Sequence, residues 1–182
     1  MKLKLKSLCL KKTKGFVSEA YAKDAEVMRR LKRAELAIVA DLNSWKSVLA
    51  WDLYRYVSVR KNLTADREAS LYISRVLHMS GQFLLSISLT TTLLERHEQL
   101  WKENPEQILV FFPYAFPESY QRFSAQNGIE KEIALAISRQ ESSFRPEAES
   151  GVGAIGLMQL MPNTAKLMAA RVNLKLSGVE NS

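Results

Sequence analysis

The sequence predicts an all-α fold: stacked helical hairpins, superhelix-like, followed by a further helical lobe at the C-terminal end. Three observations predict it. Apolar residues recur every three or four positions from Ser18 to about Asn104, with no strand-like period. Seven Gly and five Pro are spread over 182 residues, which suits helices joined by few tight turns. A composition of 47% hydrophobic and 25% charged residues belongs to a globular chain, not a disordered one.

The elements follow in order. Ala20 to Ala40 places Val27, Leu31, Ala34 and Ile38 on one face. Leu42 to Val59 repeats the pattern with Trp45, Leu49, Leu53, Tyr56 and Val57. A third helix starts at Thr64, where Thr64-Ala65-Asp66-Arg67-Glu68 supplies a polar cap and an acidic first turn, and it carries Leu71, Ile73, Val76 and Leu77. Ser80-Gly81 ends it, and Gln82 to Trp101 forms a fourth. Similar lengths and short connectors predict stacked hairpins over residues 18–104. Pro105, Pro113 and Pro117 then bracket Ile108-Leu109-Val110-Phe111-Phe112, so 105–117 reads as a buried connector at a domain boundary. A short helix, Glu118 to Gln126, is ended by Asn127-Gly128. Trp45, Trp51 and Trp101 read as packing residues.

Charge separates the ends of the chain. Of the net +7, residues 1–33 hold +8 and residues 34–182 hold −1, so the basic character lies in the N-terminal part. The segment 1–17 reads as a solvated basic end, and no nucleic-acid partner is expected because no aromatic-basic interleaving accompanies it. Cys9 stands alone and forms no intrachain disulfide. The apolar run after the first lysines, Leu8-Cys9-Leu10, is too short for a secretory signal, and Ile108 to Phe112 is too short to span a bilayer. His78 and His97 have no ligand spacing, so no metal and no cofactor are expected.

The chemistry concentrates after residue 128. Ile129 to Phe144 reads as one helix, stopped by Pro146. At about 100° per residue, Glu141 falls within about 40° of Ala134 and Ile137, where an aliphatic residue belongs. A carboxyl held against apolar groups has its pKa raised, stays protonated near neutrality and can act as a general acid. A glutamate near a helix end is also commonly a solvated charge. Further on, Gly151, Gly153 and Gly156 allow tight turns and close approach to a ligand, and Leu157-Met158-Gln159-Leu160-Met161 offers thioethers and an amide. Such a lining fits the apolar faces and hydroxyl edges of sugars, although for the Met residues taken alone core packing is the better account. Pro162 opens a last helix to about Arg171.

Ala136-Ile137-Ser138-Arg139-Gln140-Glu141-Ser142, then Ser150 and Gly153-Ala154-Ile155-Gly156 through Ala165, resemble the first motifs of the lytic transglycosylase SLT domain of the lysozyme-like superfamily. Phe112-Pro113-Tyr114-Ala115-Phe116-Pro117 is similar to the entry of the soluble murein transglycosylases, which carry a helical superhelix upstream. The resemblance implies that residues 118–182 are part of a lysozyme-like catalytic lobe in the periplasm or cell envelope. It implies Glu141 as single acid/base, Gln159 and Met161 lining the sugar groove, and Ser150 supporting it. The implied partner is the peptidoglycan glycan strand, cleaved at the MurNAc-β-1,4-GlcNAc bond to leave a 1,6-anhydro sugar. A goose-type lysozyme-like hydrolase using the same acid is one alternative. The other is a non-catalytic helical glycan-binding or scaffolding module with a vestigial site. The family's later A-x-Y-N-A-G motif has no match after Tyr120, and 54 residues run from Ile129 to the end. The sequence therefore predicts only the front part of the lobe, and weak or no turnover by this chain.

Overall fold

The computed structural model describes residues 19–175, and these divide into two compact units, one ending at Pro113 and the other beginning at Tyr114. The expectations for the basic segment 1–17 and for the extreme C-terminus lie outside the described residues. Among the described residues the chain is all-α, with two isolated antiparallel bridges instead of strands.

In the first unit, α1 (Glu19–Ala22) is separated from α2 (Ala25–Val39) by Asp24. The single helix expected from Ala20 to Ala40 breaks there because the Asp24 carboxylate accepts hydrogen bonds from the N–H groups of Glu26 and Val27, at 3.0 and 3.1 Å. Such a cap stabilises a helix by about 1 kcal/mol. α2 packs against α3 (Asn43–Lys61), burying Val27, Leu31, Ala34 and Ile38 against Ala50, Leu53 and Val57. α4 (Arg67–Ser80) starts three residues later than the sequence suggests, because Asp66 is its cap and accepts from Ala69 N–H at 3.0 Å. Gly81, at φ +87°, ends it and turns the chain into α5 (Phe83–Arg96).

α4 is the central helix of this unit. Residues 69–77 are all buried, including Ser70, Ser74 and Arg75, which an amphipathic reading leaves outside. Their polar atoms find partners. Ser70 donates to Leu63 O at 2.8 Å, Arg75 to Glu106 at 2.7 Å, and the Gln107 amide to Ser74 Oγ at 2.6 Å. Residues 105–113 thus fold with the first unit, through a 3₁₀ turn (Pro105–Gln107) and α7 (Ile108–Phe111), while α6 (Leu100–Glu103) separates from α5 at His97–Gln99. The stretch 105–117 is only partly buried as expected: Gln107 and Val110 are enclosed, and Ile108 and Phe112 are exposed. Trp45 and Trp51 do not pack inside; they are 60% and 44% exposed. His78 is half-buried against Phe83, and burial lowers its pKa to about 4 despite a backbone contact at Val110 that raises it.

In the second unit, α8 (Pro117–Asn127) opens on proline and ends at Gly128, φ +63°. α9 (Lys131–Ser142) follows, then an irregular loop, then α10 (Pro162–Arg171), which has the bounds the sequence suggests. The unit's core is small: Ala115, Tyr120, Phe144, Ala148, Ala154 and Ala169 are its buried hydrophobic residues. Tyr120 and Phe144 meet edge to face at 6.5 Å between ring centroids. Burial pushes the Tyr120 phenol pKa up, and the Ser138 hydroxyl facing it lowers it in part.

Candidate active site

Two pieces of the second unit build the site: the end of α9, and the loop that runs from Ala148 to Met161. α9 stops at Ser142 because Ser143 and Phe144 both take left-handed backbone conformations, at φ +50° and +63°. The turn satisfies helix-end carbonyls, with Ser143 N–H donating to Arg139 O at 3.1 Å and Phe144 N–H to Ser138 O at 3.3 Å. It also swings Phe144 into the core. Two consecutive non-glycine residues in this region cost roughly 1–2 kcal/mol each, which burial of the Phe144 ring offsets.

The loop is held by its own backbone and by two side chains. Ile155 and Leu160 exchange both backbone hydrogen bonds at 3.0 Å, and Gly156 N–H donates to Ala148 O at 2.9 Å. Gly156 sits at φ +82°, where an L side chain is strained even though an added Cβ would meet nothing closer than Pro146 O at 3.8 Å. Ser150 pins the first turn: its Oγ accepts from Ala154 N–H at 2.9 Å, while its own N–H donates to Ala154 O at 2.9 Å. Gln159, itself at φ +47°, directs its side-chain amide inward and donates to Ala148 O and Gly156 O, each at 3.0 Å. The family resemblance implied Gln159 on the groove wall. In the structure both amide protons serve the loop, leaving only its carbonyl oxygen for a ligand.

Ser142 joins the two pieces. Its hydroxyl is buried within reach of Leu157 O at 2.9 Å and Ser138 O at 3.1 Å, so the loop is tied one residue away from Glu141. Sequence reasoning missed this role. The available signal was the run Ser142-Ser143-Phe144 before a proline, where a small polar residue can bond to the backbone.

Glu141 is exposed, and it forms no ion pair among the described residues. The burial expected for it is absent, for a geometric reason. α9 turns Ser138 and Ser142 inward, while the aliphatic face beside Glu141 looks outward, with Ile133 51% and Ile137 44% exposed. The carboxylate therefore stands at the end of an uncovered apolar strip. Met161, 45% exposed, leads into α10 as its N-cap, and Met158 and Leu160 are also exposed. Burial lowers the Arg139 pKa from its usual value. No group of three His, Cys, Asp or Glu able to hold a metal occurs among the described residues.

The last unit sets a glutamate-bearing helix against a glycine-containing Leu-Met-Gln-Leu-Met loop. Residues 118–182, which carry both, match the sequence model of the transglycosylase SLT domain. A soluble lytic murein transglycosylase of Salmonella typhimurium is 34% identical over 104 residues, covering 57% of this chain and 15% of the relative. One from Escherichia coli K12 is 42% identical over 67 residues, 37% of this chain and 10% of the relative. The transglycosylase of Enterobacteria phage PRD1 is 51% identical over 43 residues, 24% of this chain and 16% of the relative. The chain thus spans about a sixth or less of the length of these proteins. Among solved structures, the 70 kDa soluble lytic transglycosylase of Escherichia coli is similar in fold, with a TM-score of 0.56, 23% identity, and coverage of 86% of this chain and 23% of that one. An inactive mutant of a lytic transglycosylase from Pseudomonas aeruginosa matches equally, at TM-score 0.56 and 24% identity, over 85% of this chain and 24% of that one.

Proposed function

We propose that the second unit acts on peptidoglycan glycan strands as a lytic transglycosylase, in the periplasm or cell envelope, with Glu141 as its single acid/base. The observation that carries the reading is Glu141 beside Ser142, whose hydroxyl ties down Leu157 and with it the loop that bears Met158, Gln159 and Met161. The protonated Glu141 carboxyl gives its proton to the glycosidic oxygen as the C1–O bond breaks. The resulting carboxylate then takes the proton of the muramyl 6-hydroxyl, and that oxygen bonds to C1. One C–O bond breaks, one forms, no water is consumed, and the product is a 1,6-anhydro sugar. A single carboxylate is enough for this route, in contrast to the paired carboxylates of most glycosidases.

The loop residues have graded parts in this reading. Met161 and Met158 present thioether surface to a sugar face, Ser150 holds the loop, and Gln159 holds it too while offering one carbonyl oxygen outward. Residues 18–104 serve as a helical scaffold and 105–117 as the passage to the 118–182 lobe. The exposed position of Glu141 favours a second reading, a glycan-binding module with a vestigial site. Products decide between them. Purified peptidoglycan incubated with the chain gives anhydromuropeptides by mass spectrometry under the first reading. It gives binding without products under the second, and reducing-end muramic acid if the reaction is hydrolysis.

A further inference from the structure

A second concentration of chemistry lies in the first unit, far along the sequence from Glu141. α2 and α3 enclose an open groove of about 360 Å³ lined by Arg30, Asp52, Arg55, Tyr56, Val59 and Arg60. Its floor is neutralised internally. Arg30 pairs with Asp52 and, at 2.8 Å, with Glu26, and its guanidinium lies 4.6 Å from the Tyr56 ring centre. Asp52 thereby has its charge matched by Arg30. Two guanidiniums remain for something else. Arg55 is 63% exposed, only 4.0 Å from Asp52 at its nearest, and lies 4.9 Å from the Trp51 ring centre. Arg60 lies 5.7 Å from the Tyr56 ring centre and meets no carboxylate among the described residues. Five residues apart on one helix, the two stand about 7.5 Å apart along the axis.

We propose that this groove is a further binding site, for an acidic peptide that places two carboxylates on Arg55 and Arg60. Given the reading of peptidoglycan as substrate, on which this identification of the natural ligand rests, the peptide is the acidic side chain carried by the glycan strand. Planar guanidiniums backed by aromatic rings receive carboxylates in paired hydrogen bonds. A nucleic acid is disfavoured because, of the four charged residues lining the groove, Arg30 and Asp52 pair with each other and only Arg55 and Arg60 remain. A polyanion with a charge at every step needs a continuous basic stripe, and this groove offers two isolated points.

The test is calorimetric titration of the 182-residue chain with three probes: a synthetic dicarboxylate stem peptide, its fully amidated form, and a short DNA duplex. The proposal expects the dicarboxylate to bind, and the amidated form and an Arg55→Gln/Arg60→Gln variant each to reduce affinity by about tenfold or more. Lys32→Gln/Arg33→Gln removes the same charge outside the groove and should leave affinity within about twofold. Failure of the dicarboxylate to bind, equal weakening by both double variants, or tighter binding of the DNA duplex overturns it. Peptide binding does not involve Glu141, so a chain that binds the peptide and makes no anhydro product retains the groove and loses the reading that names its natural ligand.

Discussion

Replacing Gln159 separates a residue that builds the loop from one that only touches sugar. Gln159→Ala removes two hydrogen bonds of 3.0 Å, to Ala148 O and Gly156 O, and keeps a backbone at φ +47°. At about 1 kcal/mol per bond the loop loses roughly 2 kcal/mol. Gln159→Gly loses the same bonds but relieves about 1–2 kcal/mol of left-handed strain, against about 0.4–1 kcal/mol of added chain entropy in the unfolded state. The glycine variant should therefore be the less damaged of the two, by roughly 0.5–1 kcal/mol. Hydrogen exchange reads this locally. The Gly156 amide donates to Ala148 O and the Leu160 amide to Ile155 O. Their protection should fall about 30-fold in Gln159→Ala and by about a third of that in Gln159→Gly. Unchanged protection in both variants, or greater loss in the glycine variant, refutes the assignment of Gln159 to the loop.

Two other perturbations follow from named contacts. Ser142→Ala leaves Leu157 O without its 2.9 Å partner, and should lower stability by about 1–2 kcal/mol and raise exchange at Leu157 and Met158, checked by urea unfolding and by exchange mass spectrometry. The folded-state pKa of His78 is about 4, below its usual 6.5. Because the unfolded state takes up its proton first, stability due to neutral His78 is complete above about pH 6.5 and is lost as pH falls toward 4, by up to about 3 kcal/mol. A His78→Gln variant should flatten the pH dependence of unfolding across that window.

Much of the helical frame was legible because periodicity and stop signals are local. α10 begins at Pro162 and ends at Arg171 as the sequence suggests, and Gly81 and Gly128 ended helices as their backbone freedom allows. Where a side chain captured the backbone, the reading slipped. Asp24 interrupted an apparently continuous helix, and Asp66 moved a start by three residues. Tertiary coverage was beyond local pattern. A helical wheel put Glu141 on the apolar face with Ala134 and Ile137, but whether another element covers that face depends on the rest of the fold, and Ile137 is left exposed. Burial of Ser74 and Arg75 was hidden for the same reason, since their partners Gln107 and Glu106 arrive from more than thirty residues away. At the site, residue types indicated Glu141 and the Met-Gln loop, but not that Gln159 would turn its amide to the backbone.

The exposure of Glu141 and of Ile133 and Ile137 beside it makes slow turnover the expected behaviour, because an open site does not exclude water from the reacting groups. The most direct test of the account is the yield of 1,6-anhydromuropeptides from purified peptidoglycan by the wild-type chain and by Glu141→Gln. The account predicts a low but measurable anhydro yield from the wild type, reduced to background by Glu141→Gln with glycan binding retained. Equal yields from the two proteins, or products ending in reducing muramic acid, would contradict it.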